Sequence, residues 1–208
     1  FSKYGHQEIS DFLTRKINNL KILSRPKHIK NFETTNIAKK NAVYILGISA
    51  FYHDSAAALI KDGEIVAAAQ EERFSRKKHD RRFPLSAINF CLEKGNIQQN
   101  DLRAIVYYDN TSLTFERMLW SFAKTVPNSQ EIWLRAIPSW VKYKLFLPQL
   151  IRKKLKYNGK ILHDLHHRSH IAAAFFPSPF KKAAILTIDG VGEWATASIA
   201  IGEENKIT

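Results

Sequence analysis

This chain has almost no sulfur and a shortage of negative charge: Cys91 is its only cysteine, Met118 its only methionine, and 19 acids stand against 32 lysines and arginines. One cysteine excludes an intrachain disulfide framework and suits a reducing, cytoplasmic setting. No run of 18 apolar residues exists, so no bilayer-spanning helix is expected, and the first 40 residues lack the apolar core of a secretion signal. What is present is 45% hydrophobic and 12% aromatic, a globular composition for one or two domains. The chain opens on Phe1 and has its one methionine at 118, so a fragment or processed product is expected.

The net charge of +13 raises nucleic acid and acidic membranes as partners, so its distribution matters. Residues 1–40 are basic and carry one weak helical pattern, Ile9, Phe12, Leu13, Ile17, Leu20 and Leu23, ended by Arg25-Pro26. They read as an extension or linker ahead of a main domain at 41–208. A second basic group runs from Lys142 to Lys160 and alternates with apolar residues such as Leu150, Ile151 and Leu155. That pattern is a helix with one wet and one buried side, and no nucleic-acid motif accompanies it.

From Val43 the pattern changes. Val43–Ile48 reads as a buried strand, Ser49–Asp54 as a turn, Ser55–Ile60 as a second strand, Lys61-Asp62-Gly63 as a tight hairpin and Glu64–Ala69 as a third strand. A helix is expected after Pro84, closed by Gly95, followed by a strand at Leu102–Tyr108 and a helix at Leu113–Lys124. Residues 127–157 read as mostly helical with breaks near Pro138 and Pro148, and Lys160-Ile161-Leu162 as a short strand. The opening then recurs: Ile185–Asp189 overlays Ile45–Ser49 at an offset of about 140 residues, and both second strands fall into register. This order predicts an α/β fold of the duplicated actin–hexokinase type, its first half complete and its second half begun. In such a fold the turns after each first strand face one another. Ser49 and Asp189 at those turns, with Gly190 and Gly192 permitting close backbone approach, are expected to hold a nucleotide phosphate or its metal. An ordinary hairpin turn is the simpler alternative for Asp189-Gly190.

The densest chemical string is His166-His167-Arg168-Ser169-His170, which opens the small-residue run Ile171–Phe176. On a helix, His166 and His170 share a face and can reach one metal ion, whereas His167 points elsewhere toward a supporting partner. A helix end with solvated histidines is the alternative. His53, in Tyr52-His53-Asp54-Ser55, can take a proton at neutral pH, and Asp54 beside it can orient the imidazole. Glu71 and Glu72 admit an acid/base reading, but ion pairs with Arg73 or Arg76 are the expectation.

Taken together, the strings at Tyr52–Ala58, Glu71–Asp80, Phe83-Pro84, His166–His170, Ser178-Pro179-Phe180 and Asp189–Glu193 resemble the O-carbamoyltransferases, the family of nodulation-factor and antibiotic carbamoyltransferases. The resemblance runs from about Ile45 to Thr208. It implies a first domain related to the tRNA threonylcarbamoyladenosine-synthesis transferases and a later YrdC-like domain that makes carbamoyl-adenylate from carbamoyl phosphate and ATP. It also implies transfer of the carbamoyl group to a hydroxyl of a small-molecule or sugar acceptor. A divalent metal, iron in the family, is implied at His166 and His170, with a later aspartate beyond Thr208 as third ligand. His53 and Asp54 fall at the implied base. On this reading the chain is an incomplete enzyme and inactive alone, with neither a membrane nor a nucleic acid as partner. The tRNA-modifying transferases and a non-catalytic nucleotide-binding module are the alternatives.

Overall fold

The apolar run near the start of the main domain forms β1 (Tyr44–Ser49), the middle strand of a five-stranded sheet. The computed structural model of the chain describes residues 42–125, Glu131 and residues 146–208. The basic stretch at 1–40 and the expected break near Pro138 lie outside the described residues. Along β1 the side chains alternate: Leu46 and Ile48 are buried in the core, whereas Ile45, Gly47 and Ser49 take the other face. β2 (Ala56–Lys61) pairs antiparallel with β1, and β3 (Glu64–Gln70) antiparallel with β2. Asp62 and Gly63 join β2 to β3 with φ of 50° and 94°. Both angles belong to the two-residue hairpin turn whose twist matches the strands, which is why the Asp-Gly pair is legible in the sequence.

A short helix α1 (Glu72–Ser75) leads to α2 (Leu85–Gly95), which buries Ala87, Ile88, Cys91 and Leu92 on one face. The cap of α2 is Asn96 rather than Gly95: Asn96 takes φ 50°, and its N–H returns to the Glu93 carbonyl. Gly95 serves packing instead, since a Cβ there would stand 2.5 Å from Leu59 Cδ2. β4 (Leu102–Tyr107) then enters parallel to β1, followed by α3 (Thr111–Thr125) and α4 (Leu147–Leu155). Pro148 stands in the first turn of α4, which needs no N–H from it. Leu147, Ile151 and Leu155 of α4 are buried, and Arg152, Lys153 and Lys154 occupy its last turn. β5 (Lys160–His163) closes the sheet parallel to β4, giving the order β3-β2-β1-β4-β5.

One apolar cluster joins Leu46, Ile48 and Leu59 of the sheet to Ile88 of α2 and Ile151 of α4. Each such side chain stabilises the fold by about 1.5–3 kcal/mol through removal from water. α5 (His166–Phe175) follows β5 and packs Ile171 and Phe175 on a second, three-stranded antiparallel sheet of β6 (Lys182–Ile188), β7 (Ala197–Glu203) and β8 (Lys206–Ile207). Gly202 of β7 admits the Phe175 ring, which a Cβ would meet at 2.5 Å. The architecture is mixed α/β, with two antiparallel three-strand runs at β1–β2–β3 and β6–β7–β8. Among the described residues, no helix is long and apolar enough to cross a membrane.

Candidate metal centre and hairpin site

α5 begins without a side-chain cap of its own, since Leu165 stands at the N-cap position. The missing acceptor comes from across the fold: Glu193 Oε1 takes the His166 N–H at 2.8 Å and the Asn110 N–H at 3.0 Å. An anion at this helix end satisfies orphan donors and complements the helix dipole. Glu193 is buried, and burial works to raise its pKa, yet the N–H groups of Asn110 and His166 prevail and hold the carboxyl below its ordinary value. This carboxylate therefore fixes the start of the histidine helix.

His166 and His170, one turn apart on α5, meet with Nε2 atoms 3.1 Å apart and rings crossed at 89°. Asp189, just past the end of β6, brings Oδ2 to 2.6 Å from His166 Nε2 and 3.4 Å from His170 Nε2. Its other oxygen accepts the Gly190 N–H at 2.6 Å, which locks the carboxylate's rotation. Burial opposes ionisation of Asp189, but the bonds from His166, the Gly190 N–H and His170 outweigh it and keep the pKa low. Two imidazole nitrogens and one carboxylate oxygen converge on a point, a donor set that suits a divalent transition metal. His166 is largely covered and His170 half exposed, so the open side of the group lies at His170. Asp189, expected to hold a nucleotide phosphate or its metal, stands with the histidine pair.

His167 turns the other way, as its position on the helix requires. It is buried, with Nδ1 2.7 Å from Thr187 Oγ1 and 3.3 Å from Ser198 Oγ, and so ties α5 to β6 and β7. Gly192 is explained by this imidazole: a Cβ at 192 would lie 2.8 Å from His167 Cδ2. The N–H of Gly192 goes to the Ala195 carbonyl at 3.0 Å, and that of Gly190 to Asp189, so both amides expected to face a phosphate are engaged within the turn. Of these two glycines, Gly190 is the one that faces open space.

The first hairpin holds the second constellation. His53 Nδ1 lies 2.9 Å from Asp54 Oδ2, the pairing expected of an oriented base. Asp54 Oδ1 meets His79 Nδ1, also at 2.9 Å, and Glu72 Oε2 accepts the His79 N–H at 3.0 Å. The His79 hydrogen bond holds the Asp54 carboxyl below its ordinary value, with His53 adding to the effect. Ser49 touches neither group; it lines a cleft of about 1050 Å³ together with Tyr108, Asp164 and Ser169. This cleft lies between β1–β3 and α5, where small residues such as Gly47, Ala58 and Ala172 leave the space unfilled.

Tyr108 packs beside the histidine helix. Its ring stands edge-on to His166 with centroids 5.4 Å apart, and its carbonyl accepts the Ser169 hydroxyl. Burial raises its phenol pKa, with the nearby charges of Asp109, Tyr52 and Asp189 acting in the same direction, so it stays a neutral donor. Glu71 departs from expectation. Its buried carboxylate accepts the N–H groups of Ser86 and Ala87 at the start of α2 rather than pairing with an arginine. Glu72 does approach Arg73, at 3.9 Å. Glu193, Tyr108 and His79 were given no role from the sequence, because a lone residue's tertiary partner leaves no periodic trace.

The fold and site define an α/β protein with a His-His-Asp centre at one turn and an imidazole–carboxylate pair at another. The chain belongs to the carbamoyltransferase family: residues 44–208 match the profile described as Carbamoyltransferase N-terminus. It is 48% identical over 173 residues to the uncharacterized protein sll1178 of Synechocystis, covering 79% of this chain and 28% of that one. It is also 32% identical over 161 residues to the nodulation protein NolNO of Sinorhizobium fredii, covering 76% of this chain and 22% of that one. An uncharacterized protein of Methanocaldococcus jannaschii, MJ1051, is 27% identical over 155 residues, 74% of this chain and 24% of that one. The chain thus spans between a fifth and a third of the length of these relatives.

Proposed function

We propose that this chain is the N-terminal part of an O-carbamoyltransferase that moves a carbamoyl group from carbamoyl-adenylate to the hydroxyl of a small-molecule or sugar acceptor. The observation that carries the reading is the convergence of His166, His170 and Asp189 on one point inside a carbamoyltransferase N-terminal region. These three residues would hold the divalent metal, iron by resemblance, which when bound supplies charge stabilisation beside the phosphate or carbamoyl oxygen. His53 accepts the acceptor's hydroxyl proton at Nε2 while Asp54 keeps Nδ1 protonated. The hydroxyl oxygen then bonds to the carbamoyl carbon, and the bond from that carbon to the adenylate phosphate oxygen breaks, releasing AMP. Tyr108, neutral and beside His166, donates a hydrogen bond to the bound donor. The open face at Gly190 is the approach for the nucleotide, and Ser49 lines the acceptor's cleft.

Carbamoyl-adenylate itself is made from ATP and carbamoyl phosphate in a YrdC-like region of the whole protein. The two antiparallel runs β1–β2–β3 and β6–β7–β8 are, in this reading, equivalent openings of the two halves of an actin–hexokinase-type fold. The decisive experiment supplies the full-length protein with ATP, carbamoyl phosphate and a panel of hydroxylated acceptors. Acceptor-dependent loss of carbamoyl phosphate, abolished by His53→Ala, is the expected result; nucleotide binding with no turnover refutes the enzyme reading. The charge of +13 favours a second reading, transfer to tRNA, which requires strong, salt-sensitive tRNA binding by the same protein.

A further inference from the structure

The loop after α1 carries an imidazole that the reading above leaves unused. His79 reaches back to the first hairpin and places Nδ1 2.9 Å from Asp54 Oδ1, while His53 Nδ1 lies 2.9 Å from Asp54 Oδ2. One carboxylate therefore has each of its oxygens on a different histidine. Asp54 is ionised at neutral pH and has no proton to give, so both imidazoles must carry theirs on Nδ1. Each ring is left with Nε2 on the side away from the carboxylate, and both rings are about 60% exposed.

The backbone is built to hold this arrangement. Asp54 and His79 adopt φ of 49° and 55°, and Phe51 and Arg76 in the same two loops are left-handed as well. Non-glycine residues persist in that region only where surrounding contacts enforce it. Those contacts are present: Phe51 N–H bonds the Arg81 carbonyl, Ser55 N–H the Asp80 carbonyl, and Glu72 Oε2 takes the His79 N–H. The charges around Asp54 are the Glu72 carboxylate, whose oxygen lies within 4.8 Å of the Asp54 and His79 atoms, Arg82, which is committed to Asp80 at 2.6 Å, and the exposed Lys77 and Lys78. Tyr52 packs its ring on His53 with centroids 4.5 Å apart.

We propose that His79 is a positioning residue for His53, acting through Asp54. By holding one oxygen it fixes the carboxylate's rotation, and by donating a hydrogen bond it withdraws part of the charge that would otherwise make His53 more basic. His53 is thus held with Nδ1 on the carboxylate and Nε2 turned outward, the orientation that a proton acceptor at Nε2 requires. This role rests on the assignment of His53 as base, but its test needs no carbamoyl donor.

The test is an imidazole titration of the protein labelled with ¹⁵N-histidine, comparing the parent with His79→Ala and His79→Asn. Asparagine keeps an N–H near the position of Nδ1 but cannot titrate. In the parent, the ¹⁵N shifts should report Nδ1–H on both rings at neutral pH. His79→Ala should raise the His53 pKa by about half a unit or more, since a hydrogen-bond donor to the shared carboxylate is lost. His79→Asn should raise it less. An unchanged His53 pKa in His79→Ala, equal rises in the two variants, or unprotonated Nδ1 atoms in the parent would each overturn the proposal. The expected shifts in a full-length protein that transfers no carbamoyl group would refute the catalytic reading and leave the His79–Asp54–His53 coupling standing.

Discussion

Removing the Glu193 carboxylate tests whether the proposed metal centre depends on a support that acts through the backbone N–H of His166. In Glu193→Ala the N–H groups of His166 and Asn110 lose an acceptor now 2.8 and 3.0 Å away. A hydrogen bond to a charged group contributes about 1.5–3 kcal/mol, and an anion at a helix N-terminus about 0.3–1 kcal/mol more. The two bonds share one oxygen, so they do not add in full, and the burial cost of the carboxylate is recovered when it is removed. The net loss should be about 3 kcal/mol, a substantial part of the roughly 5–15 kcal/mol that stabilises a domain. Glu193→Gln keeps an oxygen acceptor without the charge and should lose about half as much. Urea unfolding followed by circular dichroism measures the loss. Cobalt titration measures the second consequence, an affinity lower by about 10–100-fold as the start of α5 loosens. An alanine variant within about 0.5 kcal/mol of the parent and with the same cobalt affinity would refute the reasoning.

Two further perturbations address the turn and the loop. Gly192→Ala drives a Cβ to 2.8 Å from His167 Cδ2 and should cost about 1–3 kcal/mol of overpacking, read as a lower urea midpoint; a variant as stable as the parent would mean that the turn shifts freely. Asp80 is held well below the usual carboxylate range by hydrogen bonds from Arg82 and Ser75, so its contribution is complete above its unfolded value near 4 and is lost as pH falls through its lower folded value. Asp80→Asn should therefore be less stable at pH 7, with the gap to the parent narrowing below about pH 4 in urea midpoints; a gap that stays constant to pH 3 would contradict the pairing.

Much of the chain was legible residue by residue. The Asp62-Gly63 hairpin, the strands around it and the helix at His166 follow from local conformational preference and hydrophobic alternation, and they lie within a residue or two of where those patterns place them. The i, i+4 spacing alone put His166 and His170 on one face. Caps were less legible: Asn96 takes the left-handed position that Gly95 was expected to fill, because Gly95 is needed against Leu59. Gly192 likewise reads as a phosphate-binding glycine until the His167 ring beneath it is seen.

The sequence by itself determined the elements, the turn chemistry and the family, because each depends on residues close together in the chain or on strings in a fixed order. Only the tertiary structure decided which groups meet. Asp189 lies 23 residues from His166, His79 lies 25 from Asp54, and Glu193 lies 83 from Asn110. Whether such side chains touch is set by strand pairing and by how α5 rests on the second sheet, and none of that is encoded in local spacing. The histidine pair was visible from its sequence; its carboxylate partner and the acid that caps its helix emerged only when the sheets were assembled around it.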